Sequence, residues 1–235
     1  MATAASSPVK IDLEITSDTL CPFCLVGYNR IQQAIRTLKA EGVPAQFSLR
    51  FAPFQLDPTL PKSPGENKLA RYARKFGGPE RVASMVEGMK ERGRACDPPI
   101  EFSYGGNVSN STDSHRLLEK AYAVGGEEAQ IKVVERLFNL YFEREGDIGS
   151  HDELAAAAAD AGVLTKDEAL AFLASDELTK EVEAGFAKAQ RRGISGVPFT
   201  IINQQFGISG AQETETFVEV FRKIANGEIK GEDEA

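Results

Sequence analysis

The sequence predicts an α/β fold in which two separated parts of the chain build one sheet, with a large α-helical insertion between them. Three observations predict it. Residues 9–58 have the pattern strand, helix, strand, and residues 193–228 have the pattern strand, strand, helix. The residues between them have helical periodicity and almost no strand pattern. A βαβ unit and a ββα unit of this kind can share a sheet, which leaves one discontinuous domain.

The N-terminal elements follow from simple periodicities. The segment VKIDLEI, residues 9–15, alternates apolar and polar residues as a half-buried strand does. Apolar residues then recur at helical spacing from residue 25 to residue 38, and Gly42 is a suitable helix terminator. The segment AQFSLRFAPF predicts a second strand that Pro53 stops. Two cysteines, Cys21 and Cys24, therefore fall where the first strand gives way to the helix.

The middle of the chain, residues 59–192, is predicted to be an α-helical insertion domain. It opens with a proline-rich connection, and its clearest apolar stripe runs from Ile131 to Tyr141. Strand character returns in VPFTIINQQFGIS, which reads as two short strands around a tight turn at residues 203–205. A final helix follows. Residues 1–8 and 229–235 are predicted to be flexible tails.

Composition narrows the range of functions. The chain of 235 residues is 42% hydrophobic and 26% charged, which is typical of a globular protein. A formal net charge of −8 argues against nucleic acid or an anionic membrane as the main partner. No apolar run is long enough to span a membrane, and no secretory signal is recognisable, so we expect a cytoplasmic protein. In a reducing compartment a Cys-x-x-Cys pair is more often catalytic or metal-binding than structural.

The position of the cysteines predicts thiol chemistry. Cys21 lies at a predicted helix N-terminus, where unpaired amide groups and the helix dipole stabilise a thiolate. Pro22 suits the first helical turn. Cys24 lies one turn further on, where it can close a disulfide with Cys21 and resolve a mixed disulfide formed there. Two alternatives stay open: a buried cysteine pair, and a zinc site, for which the remaining ligands would be Cys96, His115 and His151.

Four segments resemble the DsbA-like branch of the thioredoxin superfamily, and within it the cytosolic FrnE-like group. That group is similar to the 2-hydroxychromene-2-carboxylate isomerases and the kappa-class glutathione transferases. The resemblance implies a thioredoxin fold (βαβ…ββα) with a large α-helical insertion. The segments are DTLCPFCLVG at 18–27, FAPFQLDP at 51–58, NSTDSHRL at 110–117 and GISGVPFTIINQQFGISGAQ at 193–212.

The resemblance also implies roles for individual residues. Cys21 would be the nucleophile and Cys24 the resolving thiol. Pro198 would be the family's cis-proline opposite the cysteines, which leaves the backbone of Val197 free to pair with an extended substrate. His115 would line the substrate site, where it could stabilise the thiolate or carry a proton. A structural role for His115, in a first helical turn capped by Ser111 or Asp113, is the alternative.

Two departures from the family pattern affect specificity. Phe23 stands where strongly oxidising periplasmic relatives carry histidine, so we expect a less oxidising pair. Phe23 and Tyr28 could instead form an apolar wall for a hydrophobic substrate. Gln212 stands near the place where the transferase and isomerase relatives carry an aspartate that holds glutathione, which argues against tight glutathione binding. The predicted substrate-binding residues are thus Phe23, Val197, Pro198 and His115, and no metal site is predicted.

The predicted function is a thiol–disulfide oxidoreductase acting on protein or small-molecule thiols and disulfides. No bound cofactor is expected, although glutathione is a candidate co-substrate, and a homodimer is plausible for the relatives. The main alternative is a glutathione- or thiol-dependent isomerase or transferase acting on a small aromatic metabolite. A non-enzymatic binding module is a third class. The presence of Cys24 favours the oxidoreductase, because a mechanism with a single nucleophile does not need a second thiol. Cys96 is predicted to be an isolated thiol, with a regulatory role as the alternative.

Overall fold

A computed structural model describes residues 8–229 of the chain. The predicted flexible tails therefore lie almost entirely outside the described residues. The main sheet has four strands in the spatial order β2-β1-β5-β6. These strands are β1 (Val9–Ser17), β2 (Ala45–Pro53), β5 (Phe199–Ile202) and β6 (Phe206–Ser209). A second, two-stranded sheet joins β3 (Glu66–Asn67) to β4 (Asn107–Val108).

Strand β1 lies in the centre of the main sheet because both halves of the fold pair with it. It runs parallel to β2, with Val9 opposite Ala45, and antiparallel to β5, with Leu13 opposite Ile202. Ile11, Leu13 and Ile15 of β1 are buried on one face, as the alternating pattern predicts. The βαβ and ββα units thus share one sheet, as expected from the sequence.

Helices account for most of the remaining chain. The first helix follows β1, the last follows β6, and the others lie between β2 and β5. They are α1 (Pro22–Ala40), α2 (Lys68–Phe76), α3 (Pro79–Arg94), α4 (Thr112–Phe138), α5 (His151–Asp160), α6 (Lys166–Ala174), α7 (Thr179–Arg191) and α8 (Thr214–Ala225). A short π-helical segment, Asn139–Glu143, extends α4. None of these helices is both long enough and apolar enough to cross a membrane.

Helix α4 is interrupted at Gly125 and Gly126, where Gly126 has φ of +64°. The structure differs from the sequence prediction at two places in the insertion. The short strands β3 and β4 are too brief to produce an alternating pattern. Ser111 is the N-cap of α4 but makes no capping bond through its side chain, and the Thr112 amide donates instead to the Asn110 side chain at 2.9 Å.

The insertion is docked on the sheet through a buried amide. Gln130 of α4 accepts a hydrogen bond from the Phe51 amide at 2.8 Å and donates to the Phe51 carbonyl at 3.1 Å. It thereby pairs the amide and the carbonyl of Phe51, which lie on the outer edge of β2. Phe51 also packs edge-on against Phe138, with ring centroids 6.3 Å apart. One hydrophobic core therefore runs from the sheet into the insertion.

Candidate active site

Cys21 occupies the N-cap of α1, immediately after the turn that leaves β1. Its backbone is extended, with φ of −93° and ψ of 112°, and Pro22 begins the helix. The Cys21 amide closes the turn by donating to the Asp18 carbonyl at 3.0 Å. Cys21 is buried, with 5% of its surface exposed. Pro22 has no amide hydrogen and the Cys24 amide donates to the Cys21 carbonyl at 3.0 Å, so the positive end of the α1 dipole faces this position.

Cys24 lies behind Cys21 and is fully buried, at 0% exposure. Burial raises the pKa of the Cys24 thiol well above its ordinary value, and contact with Cys21 raises it further. Hydrogen bonds from the Ser17 side chain and the Asp18 backbone act in the opposite direction but do not prevail. The three cysteines of the chain are free thiols in the structure. Cys24 is therefore held in the protonated form by its burial.

The loop before β5 faces the cysteines. The peptide bond between Val197 and Pro198 is cis. The Val197 carbonyl accepts a hydrogen bond from the Cys21 sulfur at 3.5 Å. The structure thus brings together four of the residues that the sequence predicts for the site, namely Cys21, Cys24, Val197 and Pro198.

Helix α1 holds this loop through close contacts one turn below the cysteines. Gly27 faces Pro198, and a methyl group added at Gly27 would lie 3.0 Å from the Pro198 ring and 3.4 Å from Ala211. Arg30 donates to the Ala211 carbonyl at 2.7 Å and forms an ion pair with Glu213 at 2.7 Å. The absence of a side chain at Gly27 therefore sets how closely the proline loop approaches Cys21.

We expect Gly27→Ala to displace the proline loop from α1. The cost of the added methyl group is about 1 kcal/mol of unfolding free energy, and kcat/KM for disulfide exchange should fall by roughly 10-fold because a small misplacement at the reacting sulfur is costly. Denaturant unfolding and steady-state kinetics measure the two effects. Gly88→Ala on α3 is the matched control, since the added methyl group there meets only the flexible Arg92 side chain. Unchanged kinetics in Gly27→Ala would contradict the positioning role.

Asp18 connects three segments of the site from a fully buried position. Its carboxylate accepts hydrogen bonds from the Leu20 amide at 3.1 Å and from the Leu56 amide at 2.8 Å. The same carboxylate lies 3.6 Å from Nε2 of His115, on α4. Asp18 therefore ties the cysteine turn to the loop after β2 and to the insertion.

His115 does not line the substrate cavity, contrary to the sequence prediction. The side chain is 2% exposed and packs edge-on against Phe186, with ring centroids 5.5 Å apart. Its Nε2 atom has no hydrogen-bond partner within described residues 8–229 and points toward Asp18. The reason is its place in the buried first turn of α4. Any role in the chemistry must therefore act through Asp18.

The neighbouring Arg116 fixes the start of α4. Its buried guanidinium donates to the backbone carbonyls of residues 172, 173, 175 and 177, which surround the turn between α6 and α7. It also bonds to Asp113 at 2.7 Å. Its donors are thus fully used, so Arg116 positions His115 rather than binding a ligand.

An apolar cavity of about 390 Å³ adjoins Cys21. It is lined by the cysteine turn, the loop after β2, helices α2 and α3, the connection between α3 and α4, and the loop before β5. Phe23 lines it and is 43% exposed. Tyr28 does not line it, which corrects the prediction of an apolar wall built by both aromatics. Tyr28 lies in the core, where its hydroxyl donates to Glu135 at 2.7 Å.

Two tyrosines, Tyr72 and Tyr104, face the same cavity. Burial raises the pKa of the Tyr72 hydroxyl, and negative charge on Cys21 adds to the shift. Burial likewise raises the pKa of Tyr104, with lesser contributions from Tyr72 and Cys21. Both phenols are therefore neutral and can donate hydrogen bonds into the cavity.

Cys96 and His151, which the sequence analysis named as possible zinc ligands, lie apart from the cysteine pair. Cys96 is buried near Arg30, and its thiol donates to the Arg92 carbonyl at 3.3 Å. His151 is bonded to Asp113 at 2.9 Å, at the rim of a separate cavity in the insertion. Within residues 8–229 no group of three or more His, Cys, Asp or Glu side chains is arranged to hold a metal ion.

A family comparison matches residues 12–222 to the DSBA-like thioredoxin domain. The chain belongs to the DSBA-like thioredoxin domain family. This match confirms both the resemblance drawn from the four sequence segments and the predicted fold class. No curated protein matches the chain.

Several solved structures superpose over nearly the whole chain. A probable DsbA oxidoreductase from Streptomyces coelicolor is 26% identical, with a TM-score of 0.81 over 94% of this chain and 92% of its own. A 2-hydroxychromene-2-carboxylate isomerase is 17% identical, with a TM-score of 0.63 over 92% and 97%. The cytosolic disulfide reductase DsbM from Pseudomonas aeruginosa, solved with GSH, is 14% identical, with a TM-score of 0.54 over 92% and 98%. The last two establish likeness of fold alone.

Sequence reasoning overlooked several residues of this DSBA-like site. Asp18 carries a usable signal, because it directly follows a buried strand and precedes Cys21 by three residues. The residues of α2 and α3 that line the cavity carry no such signal in the sequence. They are ordinary amphipathic positions, and periodicity does not reveal what a helix face packs against.

Proposed function

We propose that this protein is a thiol–disulfide oxidoreductase in which Cys21 is the nucleophile and Cys24 the resolving thiol. The observation that carries the proposal is the arrangement of two free thiols in contact at the start of α1. One thiol lies at the helix N-cap beside the Val197 carbonyl, and the other is fully buried. This difference in surroundings suits two successive exchange steps at one site.

The exchange has two steps in the reducing direction. The Cys21 thiolate attacks a substrate disulfide, so that one substrate sulfur leaves as a thiolate and the other is joined to Cys21. Cys24 loses its proton and attacks the Cys21 sulfur, which closes the Cys21–Cys24 disulfide and releases the second substrate thiolate. Two electrons pass from the protein to the substrate. A small thiol such as glutathione would reduce the pair again, and the reverse sequence would oxidise a substrate dithiol.

The second step needs a base, since burial holds the proton on Cys24. We assign this role to Asp18, because its backbone is hydrogen-bonded to Cys24 and its carboxylate is fully buried. His115 lies 3.6 Å from that carboxylate and has an unsatisfied nitrogen that can share the proton. We assign His115 to this relay rather than to substrate contact.

Asp18→Asn should slow the resolving step by roughly 10- to 100-fold near pH 7, the range of general-base contributions. The defect should shrink as the pH rises, because hydroxide can then remove the Cys24 proton. Single-turnover decay of the mixed disulfide at Cys21, followed from pH 6 to pH 9, measures this. Asp12→Asn, at an exposed position of β1, the strand that Asp18 follows, is the matched control. A defect of the same size at every pH would show that Asp18 acts only through structure.

The proposed function is tested by the equilibrium reduction potential of the Cys21–Cys24 pair in glutathione buffers, on a Cys96→Ser background. We expect a reversible couple between roughly −180 and −270 mV, the range from protein disulfide isomerase to thioredoxin. The absence of a disulfide, or one that forms irreversibly, would contradict the proposal. The value itself would tell whether reduction or oxidation of substrates is favoured.

A second candidate is a glutathione- or thiol-dependent isomerase or transferase for a small aromatic metabolite. The apolar cavity beside Cys21 favours it, since such a cavity can enclose a small ligand. Under this hypothesis Cys21 or glutathione is the only nucleophile, so that replacing Cys24 with serine leaves turnover intact. The two hypotheses therefore differ in what Cys24 does.

The proposed partners are protein or small-molecule thiols and disulfides in the cytoplasm. Glutathione enters as a dissociable co-substrate rather than as a bound cofactor. A homodimer is part of the proposal by analogy with the relatives. The net charge of −8 makes nucleic acid and anionic membranes unfavourable partners.

A further inference from the structure

A second carboxylate, Glu119, follows His115 on α4 by one helical turn. Side chains at this spacing project from the same face of a helix and lie next to each other. Both residues line a crevice that also contains Ser17, whose side chain is hydrogen-bonded to Cys24. One crevice therefore connects the surroundings of the resolving thiol to Glu119.

This crevice is too narrow to hold a water molecule. Its remaining walls are largely apolar and include Phe51, Pro53 and Leu118. A proton can therefore cross it only from side chain to side chain. The Nε2 atom of His115 is suited to take part, because it is buried and has no hydrogen-bond partner among the described residues 8–229.

Glu119 also lines a larger cavity, of about 470 Å³, between β2, α4 and α7. The Glu119 side chain is 16% exposed, whereas Asp18 and His115 are buried. Three residues line both the crevice and this outer cavity, namely Ala52, Pro53 and Glu119, and Glu119 is the one that can carry a proton. The outer cavity shares no lining residue with the apolar cavity beside Cys21, so a substrate bound there leaves this route open.

The charges around Glu119 suit a group that takes up a proton and releases it. Burial raises the pKa of the Glu119 carboxyl, and the opposing effects of Arg50, His115 and Lys188 do not prevail. Arg50 forms an ion pair with Glu119 at 2.6 Å and is itself held over the Tyr122 ring at 3.7 Å. The other charged residues of the outer cavity are Glu14, Glu181, Arg191 and Arg192. Glu119 therefore accepts a proton more readily than an exposed glutamate would.

We propose that Glu119 is the exit of a proton path that serves the resolving thiol. The proposal rests on the proposed function and extends its second step beyond His115. When Cys24 attacks the Cys21 sulfur, the electron pair of its S–H bond forms the new S–S bond and the substrate sulfur leaves as a thiolate. The released proton passes to the Asp18 carboxylate and then to Nε2 of His115. The imidazolium gives a proton to Glu119, which releases it to water in the outer cavity.

Glu119→Gln tests the path, because the amide has the size of the carboxylate but cannot carry the proton. In a single-turnover assay near pH 7, we expect the mixed disulfide at Cys21 to decay roughly 10-fold more slowly than in the wild type. Formation of the mixed disulfide should be unchanged, since attack by Cys21 does not use this proton. Glu181→Gln is the matched control, because it removes the same charge from the outer cavity but does not line the crevice.

Added imidazole should restore the resolving step in Glu119→Gln. Imidazole is small enough to enter the outer cavity and accept the proton that His115 carries. The rate should rise with imidazole concentration and saturate within about two-fold of the wild-type rate, which should itself not respond. A variant that is slow only because its packing has changed would gain nothing from imidazole.

The outcomes separate this inference from the proposed function. Failure of the wild-type protein to form any mixed disulfide at Cys21 would contradict the proposed function itself. Normal resolution in Glu119→Gln, equal slowing in Glu181→Gln, or slowing that imidazole does not reverse would each contradict the exit at Glu119 alone. Slower formation of the mixed disulfide in Glu119→Gln would assign the residue a structural role and also overturn the inference.

Discussion

Cys24→Ser is expected to reduce turnover in disulfide exchange by roughly 100-fold or more, because an alcohol cannot resolve a disulfide at Cys21. The variant should still react once, since Cys21 keeps its place at the N-cap of α1 and its contact with Val197. A stable mixed disulfide with the substrate should therefore accumulate. Mass spectrometry of the intact protein, with and without a thiol reductant, detects this adduct.

Two controls make this experiment decisive. Cys96→Ser should turn over normally, because Cys96 lies beside Arg30 and away from the reacting pair. Cys21→Ser should neither turn over nor trap substrate. Full turnover by the Cys24→Ser variant would contradict the oxidoreductase hypothesis and favour the isomerase or transferase, which needs a single nucleophile.

Lys68→Met is expected to stabilise the protein. Lys68 is 1% exposed, and burial lowers the pKa of its ammonium to about 8, with Glu145 opposing the shift. From an ordinary value of 10.5, this difference corresponds to a destabilisation of about 3 kcal/mol at neutral pH. Removing the charge should relieve this destabilisation, but losing the hydrogen bond from Lys68 to the Tyr141 carbonyl offsets about 1 kcal/mol of the gain. The net expectation is a gain of about 2 kcal/mol in unfolding free energy at pH 7.

The pH dependence distinguishes this effect from better packing. Between pH 8 and pH 10.5 the unfolded chain holds the Lys68 proton while the folded chain releases it. The unfolding free energy of the wild type therefore rises as the pH increases through this window. Below the window, the full destabilisation by the buried Lys68 charge applies. The stability difference between variant and wild type should shrink across the window. Denaturant unfolding at several pH values measures it, with exposed Lys10→Met as the control; a pH-independent difference would contradict the assignment.

Local patterns in the sequence determined the main secondary-structure elements of this protein. Alternation in β1 and helical spacing in α1 predict the βαβ unit, and the turn at residues 203–205 predicts the β5–β6 pair. The position of Cys21 at a helix start also follows from neighbouring residues alone. Such features depend on interactions between residues close in sequence, which periodicity and capping preferences record directly.

Only the tertiary structure decided how the site is surrounded. Asp18 and His115 come from segments almost a hundred positions apart, and their contact depends on how α4 docks on β2 through Gln130. The same docking buried His115 instead of exposing it to substrate. Likewise, α3 forms the cavity wall because the insertion folds back over the cysteine turn. An amphipathic helix specifies that one face is buried but not against what, since hydrophobic burial is non-directional.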